Sequence, residues 1–172
     1  LNAGIESIRA GTHVLVDTNV IIEAHRTNCW NAIVGHLKID TVLTCVRECE
    51  RGNQRRRDYI PVDTEAIIRT IDPKKVDDIQ MAKFVLTYPG SADLDPGEKA
   101  LLAYAASLPE TDFLICSPDR ACLNAIYDLG LIERYVSLEL LARSAGMHPS
   151  LESHFTQRWL EERRTEVAFR NL

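Results

Sequence analysis

The run HVLVDTN, residues 13–19, constrains this chain more than any other stretch. A short apolar segment ends abruptly in a polar tripeptide. Such a segment is predicted to be a buried strand of a parallel sheet, whose two faces are both covered. Asp17 then stands at the strand's carboxyl end. In open parallel sheets, ligands bind just beyond the carboxyl ends of the strands, so an acid there is a candidate for chemistry.

The remaining chain alternates strand and helix patterns around that element. Residues 18–26 and 29–38 read as helices, TVLT (41–44) as a second strand, and 45–51 as a helix. The basic stretch RGNQRRRD (51–58) reads as a loop. Residues 63–71 and 73–87 read as helices, with Pro73 at a helix start and Pro89-Gly90 as the stop. In LDPGEKALLAYAASL (94–108), Asp95, Pro96 and Glu98 fit the N-cap, N1 and N3 positions of a capping box. FLIC (113–116) is predicted as a third strand, followed by a helix capped by Ser117 with Pro118 at N1. RYVSL (134–138) is predicted as a fourth strand, and 150–170 as a last amphipathic helix. This alternation predicts an α/β fold, a three-layer α/β/α sandwich on a central parallel sheet.

Composition narrows the class. The 172 residues suit one domain, read as residues 1–146, with a helical extension over 147–172. Lys plus Arg is 20 and Asp plus Glu is 25, a net −5 that excludes a broadly basic nucleic-acid binder. It leaves room for an enzyme with a local basic patch. The five cysteines are odd in number and form no CxxC pair, so they read as core residues in a reducing, cytoplasmic setting. No run is long and apolar enough to suggest a membrane span.

Four acids follow strands or open helices at what is expected to be one sheet edge: Asp17, Glu48, Glu98 and Asp119. Asn19 adds a neutral oxygen donor beside them. Each also has a plain structural role: Glu98 as the partner of Asp95, Asp119 as a helix-dipole acid, Glu48 as a solvated first-turn residue. Converging carboxylates repel one another and stay ionised only beside compensating cations. A set of oxygen donors suits Mg²⁺ or Mn²⁺ and not zinc. Arg51, Arg55, Arg56 and Arg57, with Arg120, are candidate RNA-phosphate contacts, or else a solvated basic loop. The histidines show no metal spacing, and the scattered aromatics show no stacking platform for single strands. Leu151, Phe155, Trp159 and Leu160 form a stripe predicted to dock on the domain itself.

In this order, VLVDTNVII, an early Glu, LDPGEKALLAYA and FLICSPDRACLNAIYDLGL resemble the PIN-domain nucleases, over roughly residues 13–140. The resemblance implies a Mg²⁺- or Mn²⁺-dependent endoribonuclease in which the strands carrying Asp17 and Asp119 are neighbours. It implies RNA as substrate, and an antitoxin and a second copy as possible partners, since many members are bacterial toxins that dimerise. Asp17, Glu48, Glu98 and Asp119 correspond to the family's metal-binding acids, with Glu50 a rival to Glu48 and Asp95 a rival to Glu98. Asn19 and Ser117 correspond to supporting polar positions, although Pro118 intervenes where the family has a polar residue. Two other functions compete: a PIN-like module that holds RNA or protein without cutting, and an aspartyl phosphotransfer domain. The latter wants an acid two positions after its nucleophile, where this chain has Asn19.

Overall fold

The computed structural model describes residues 8–51, 59–109 and 112–170. Its centre is β1 (His13–Val16), flanked by β2 (Lys38–Asp40) on one side and β3 (Leu114–Cys116) on the other, all parallel. Val14 is in register with both Ile39 and Leu114. Val14 and Val16 enter one apolar cluster and Leu15 the other, the alternation that a strand's period of two imposes. Because both faces are covered, all three are buried, as the continuous apolar run predicts.

Helices α1 (Thr18–Arg26), α2 (Trp30–His36) and α8 (Leu138–Ser144) contribute to the Val14/Val16 cluster. Helices α5 (Asp78–Thr87), α6 (Pro96–Ser107) and α7 (Arg120–Asp128) contribute to the Leu15 cluster. Helix α3 (Leu43–Glu50) feeds both clusters, Val46 and Cys49 to the first and Val42, just before it, with Cys45 to the second. It packs against α1, α6 and α4 (Thr64–Ile71). The chain is therefore an α/β protein of three layers. The connection from β1 to β2 carries α1 and α2, and the one into β3 carries α6, so the crossovers use opposite faces. With the order β2-β1-β3, the crevice opens at the carboxyl ends of β1 and β3.

Several local expectations are corrected. The second strand is Lys38–Asp40, not 41–44. Thr41 turns its hydroxyl onto the Val16 carbonyl at 2.7 Å, and Val42 bridges to Lys74 while opening α3. Pro73 starts no helix: Lys74 donates its amide to the Thr41 carbonyl, and Leu43 donates to the carbonyl of Lys74. Helix α5 begins only after Asp77, whose capping box with Gln80 satisfies the first-turn amides. Residues 134–138 form no strand. They make a single bridge, Ile115 to Tyr135, before Ser137 caps α8. Asp119, not Ser117, is the N-cap of α7.

The C-terminal stripe docks on the domain as expected. Phe155 and Leu160 are buried, and α9 (Gln157–Arg170) packs on α7 and α8. Two polar ties hold its approach. Buried Glu23 accepts two 2.6 Å bonds from Arg26 and one from the Glu152 amide at 2.9 Å. Burial alone would push the Glu23 carboxyl up, but these donors outweigh it and hold it below its usual range. Arg26 also donates to the Ser150 carbonyl. The extension is thus part of the folded body. Phe155→Ala is expected to destabilise the protein by about 3–5 kcal/mol, read as a lower urea midpoint with unchanged slope. A change under about 1 kcal/mol would show that the segment docks without contributing to the core.

Candidate active site

Asp17 leaves β1 in an extended conformation and serves as the N-cap of α1. One carboxylate oxygen accepts the Val20 amide at 2.8 Å. The other accepts the Ser117 hydroxyl at 2.6 Å, and the Asp17 amide continues the ladder to the Cys116 carbonyl. One side chain therefore joins the ends of β1 and β3 to the start of α1. Ser117 reaches Asp17 because it lies just past β3, in the chain that Tyr135 holds from behind by donating to the Ser117 carbonyl.

Asp119 opens α7, its Oδ1 accepting the amides of Ala121 and Cys122. Glu98 and Asp95 form the expected capping box at the start of α6. Glu98 is buried while Asp95 is exposed. Glu48 lies near the end of α3, not in its first turn as expected. Its Oε2 accepts the Thr18 hydroxyl at 2.6 Å. A Cβ at position 97 would fall 2.3 Å from that same oxygen, so Gly97 is what lets Glu48 sit against the first turn of α6. The positive end of the α6 dipole favours a carboxylate there. Glu50 instead accepts the Thr64 hydroxyl at the start of α4, away from this contact.

The electrostatics tie these acids together. Burial, more than any other cause, pushes the Asp17 carboxyl from 3.8 up to about 7, despite its two hydrogen bonds. The charges of Asp95 and Asp119 add to the rise. Burial pushes Glu98 from 4.5 up to about 8, with Asp119, Asp95 and Asp17 contributing in the same direction. The structure thus brings Asp17, Glu98, Asp119 and Asp95 into one mutually repelling group. Asp95, which the sequence offers only as a rival to Glu98, is a member of that group. Thr18 is a partner that the spacing of acids gave no reason to single out, because its hydroxyl matters only through α3.

Whether this set fits a divalent cation divides into chemistry and spacing. The donors are all oxygen. Asp119 Oδ2, Glu98 Oε1 and Glu48 Oε1 accept no hydrogen bond from the described residues. Two of the acids are pushed toward neutrality, by burial first and by neighbouring carboxylates second. That chemistry fits a hard cation. Among the described residues, however, no three His, Cys, Asp or Glu side chains are grouped so as to hold one ion. Burial pushes the Cys45 and Cys49 thiols up to about 12, and both side chains belong to the apolar core.

The remaining candidates donate no hydrogen bond to these acids among the described residues. Asn19 is exposed on α1. Arg51 and Arg120 are exposed, and neither makes an ion pair among the described residues. Arg55, Arg56 and Arg57 lie outside the described residues. His25 donates to the Ile21 carbonyl and stacks on Trp30, a packing role. No protein-family model matches the chain, and no curated protein matches it significantly.

Two outcomes follow from the geometry. Below about pH 4, folded and unfolded chains both keep the Asp17 proton. Between there and about 7 only the folded chain keeps it, so stability of the metal-free protein falls as pH rises through that window. Asp17→Asn keeps the cap and removes this penalty, on the order of a few kcal/mol. In EDTA at pH 8 it is expected to raise Tm by several degrees, with the gap closing at pH 4. An unchanged or lowered Tm at pH 8 would contradict the burial argument. Gly97→Ala is expected to expel the Glu48 carboxylate while costing no more than about 1 kcal/mol, since the displaced atom ends a flexible side chain. Chemical denaturation reads the cost, and a loss above about 3 kcal/mol would show that Glu48 cannot yield.

Proposed function

We propose that this chain is a metal-dependent endoribonuclease with a PIN-like active site at the carboxyl edge of its sheet. The observation that carries the reading is the pair of buried, uncompensated acids, Asp17 and Glu98, grouped with Asp119 where the crossovers diverge. The sequence resemblance identifies the same residues.

In this reading Asp17, Glu98 and Asp119, with Glu48, are the residues that would hold Mg²⁺ or Mn²⁺. The cation, when bound, supplies Lewis acidity for the attack of water on phosphorus and for the leaving 3′ oxygen. The protein's part is positioning. Ser117 and the Val20 amide fix the Asp17 carboxylate, and the α7 amides fix Asp119. Burial favours a proton on Asp17 and Glu98 in the metal-free protein, so a cation at this edge would compete with protons. Arg51 and Arg120 supply exposed positive charge for RNA phosphates, in an otherwise acidic protein. A toxin-like role, with an antitoxin or a second copy as partner, belongs to the same reading.

A second reading, a PIN-like module that binds RNA or protein without cutting, draws on one observation: no three described acids are grouped on a single point. Aspartyl phosphotransfer is disfavoured, because Asn19 stands where that chemistry wants a second acid.

The test is incubation of the purified chain with mixed RNAs and Mn²⁺. Cleavage is expected to vanish in EDTA and to fall at least about 100-fold in Asp17→Asn and Asp119→Asn. Equal cleavage by wild type and both variants would sink the proposal. No cleavage by any form, with Mn²⁺ binding absent by calorimetry, would favour the binding module.

A further inference from the structure

We infer that helix α5 is a self-association surface, and that its outward face pairs with the same face of a second copy of this chain in an antiparallel, two-fold arrangement. The inference stands on the exposure and chemistry of α5 and needs no nuclease activity.

Large apolar side chains exposed one at a time are ordinary on a protein surface, whereas a contiguous group marks a contact site. Among the described residues five large apolar side chains are exposed: Ile68, Ile79, Val85, Leu86 and Phe169. Three of the five belong to α5, with Leu86 83% and Ile79 66% exposed. At about 100° per residue, Ile79, Ala82, Val85 and Leu86 fall on one side of that helix. The opposite side is already covered: Phe84 is buried, Met81 packs on the Leu15 cluster, and the Gln80 amide donates to the Ser107 hydroxyl of α6 at 3.1 Å. These contacts fix which way the helix is turned. Its sequence is apolar all round, the pattern of a helix covered on every side, yet the described residues cover only one.

The occupant follows from symmetry and area. Most assemblies of identical soluble chains are two-fold, and a two-fold contact sets one patch against itself. The stripe reads large, small, large: Ile79 and Leu86 stand at equal distances in sequence from the helix midpoint between Ala82 and Lys83. Turned end for end, Ile79 meets Leu86 of the second copy, and Leu86 meets its Ile79. Ala82, exposed at the crossing, lets the two backbones approach closely. Antiparallel helix dipoles favour the same arrangement. Lys83 and Asp78, the only charged residues of α5, lie at its flank and at its first position. Ile79, Val85 and Leu86 present on the order of 350 Å² of apolar surface per copy, so two copies pool about 700 Å². An interface of roughly 1,200 Å², about 60% apolar, contains that much, and it is the lower end of the range for specific association.

Sedimentation equilibrium of the full chain without added metal, from about 1 to about 200 µM, reads the association. The wild type is expected to move from 19.4 kDa toward twice that mass, with a Kd in the micromolar range. Leu86→Glu and Ile79→Lys each place two charges in the contact. Each is expected to weaken association at least about 100-fold with an unchanged far-ultraviolet circular dichroism spectrum, since both positions are exposed in the single chain. Phe169→Glu and Ile68→Glu, outside α5, should leave association as it is. Mixing Leu86→Glu with Ile79→Lys is expected to restore it to within about tenfold of wild type. In that mixed pair the introduced lysine stands beside the introduced glutamate, and the other contact of Ile79 with Leu86 is intact. A chain that stays monomeric throughout, or an association that neither α5 variant disturbs, would overturn the proposal. Loss in both variants without recovery on mixing would overturn the antiparallel pairing.

Discussion

The organisation of this protein depends on one buried carboxylate. Asp17 ends β1, caps α1 and receives the hydroxyl that follows β3, so three elements meet on two oxygens. Its burial carries an electrostatic penalty that its two donors only partly offset. Removing water from a carboxylate is tolerable in a folded protein when the group is well hydrogen-bonded, or when a cation completes the balance. Here the hydrogen bonds are present and the charge balance is not, which is why the same residue serves as scaffold and as the centre of the proposed chemistry.

The surrounding acids repeat parts of that pattern. Asp119 and the Asp95–Glu98 pair are all helix N-caps or their partners, so each has a structural reason to be where it is. N-termini of helices tolerate negative charge, and gathering several of them at one sheet edge concentrates carboxylates without separate stabilisation of each. Glu48 arrives differently. It comes from the end of α3 and is received by Thr18 and by the absence of a side chain at Gly97. The local rules of capping and the crowded site are thus one arrangement seen at two scales.

The net charge of −5 acquires a location in this picture. Several of the acids counted in it stand at the carboxyl edge, and burial pushes two of them, Asp17 and Glu98, toward the neutral form. The C-terminal extension docks on the domain through buried Phe155 and Leu160. An acidic chain can therefore be read as an enzyme acting on an acidic polymer without a broad positive face.

Much of the fold was legible in the sequence where the signal is local. The apolar run into Asp17 marked the central strand, and Asp95 with Glu98 marked the start of α6, because burial on both faces and capping are decided within a few residues. The adjacency of β1 and β3 was implied by the family resemblance, and the ladder agrees. Local signals failed where a distant partner decides: TVLT is β-branched, yet Lys74 and Val16 claim its backbone and hydroxyl, and Ser117 looked like a cap until Asp17 was placed within its reach. The sequence alone determined which acids the chain has to offer and the strand that carries the first of them. Only tertiary structure decided which of those acids share a field, that Gly97 makes room for Glu48, and that Ser117 reaches Asp17. Those are contacts between residues tens of positions apart, and they exist only once packing has closed the loops between them.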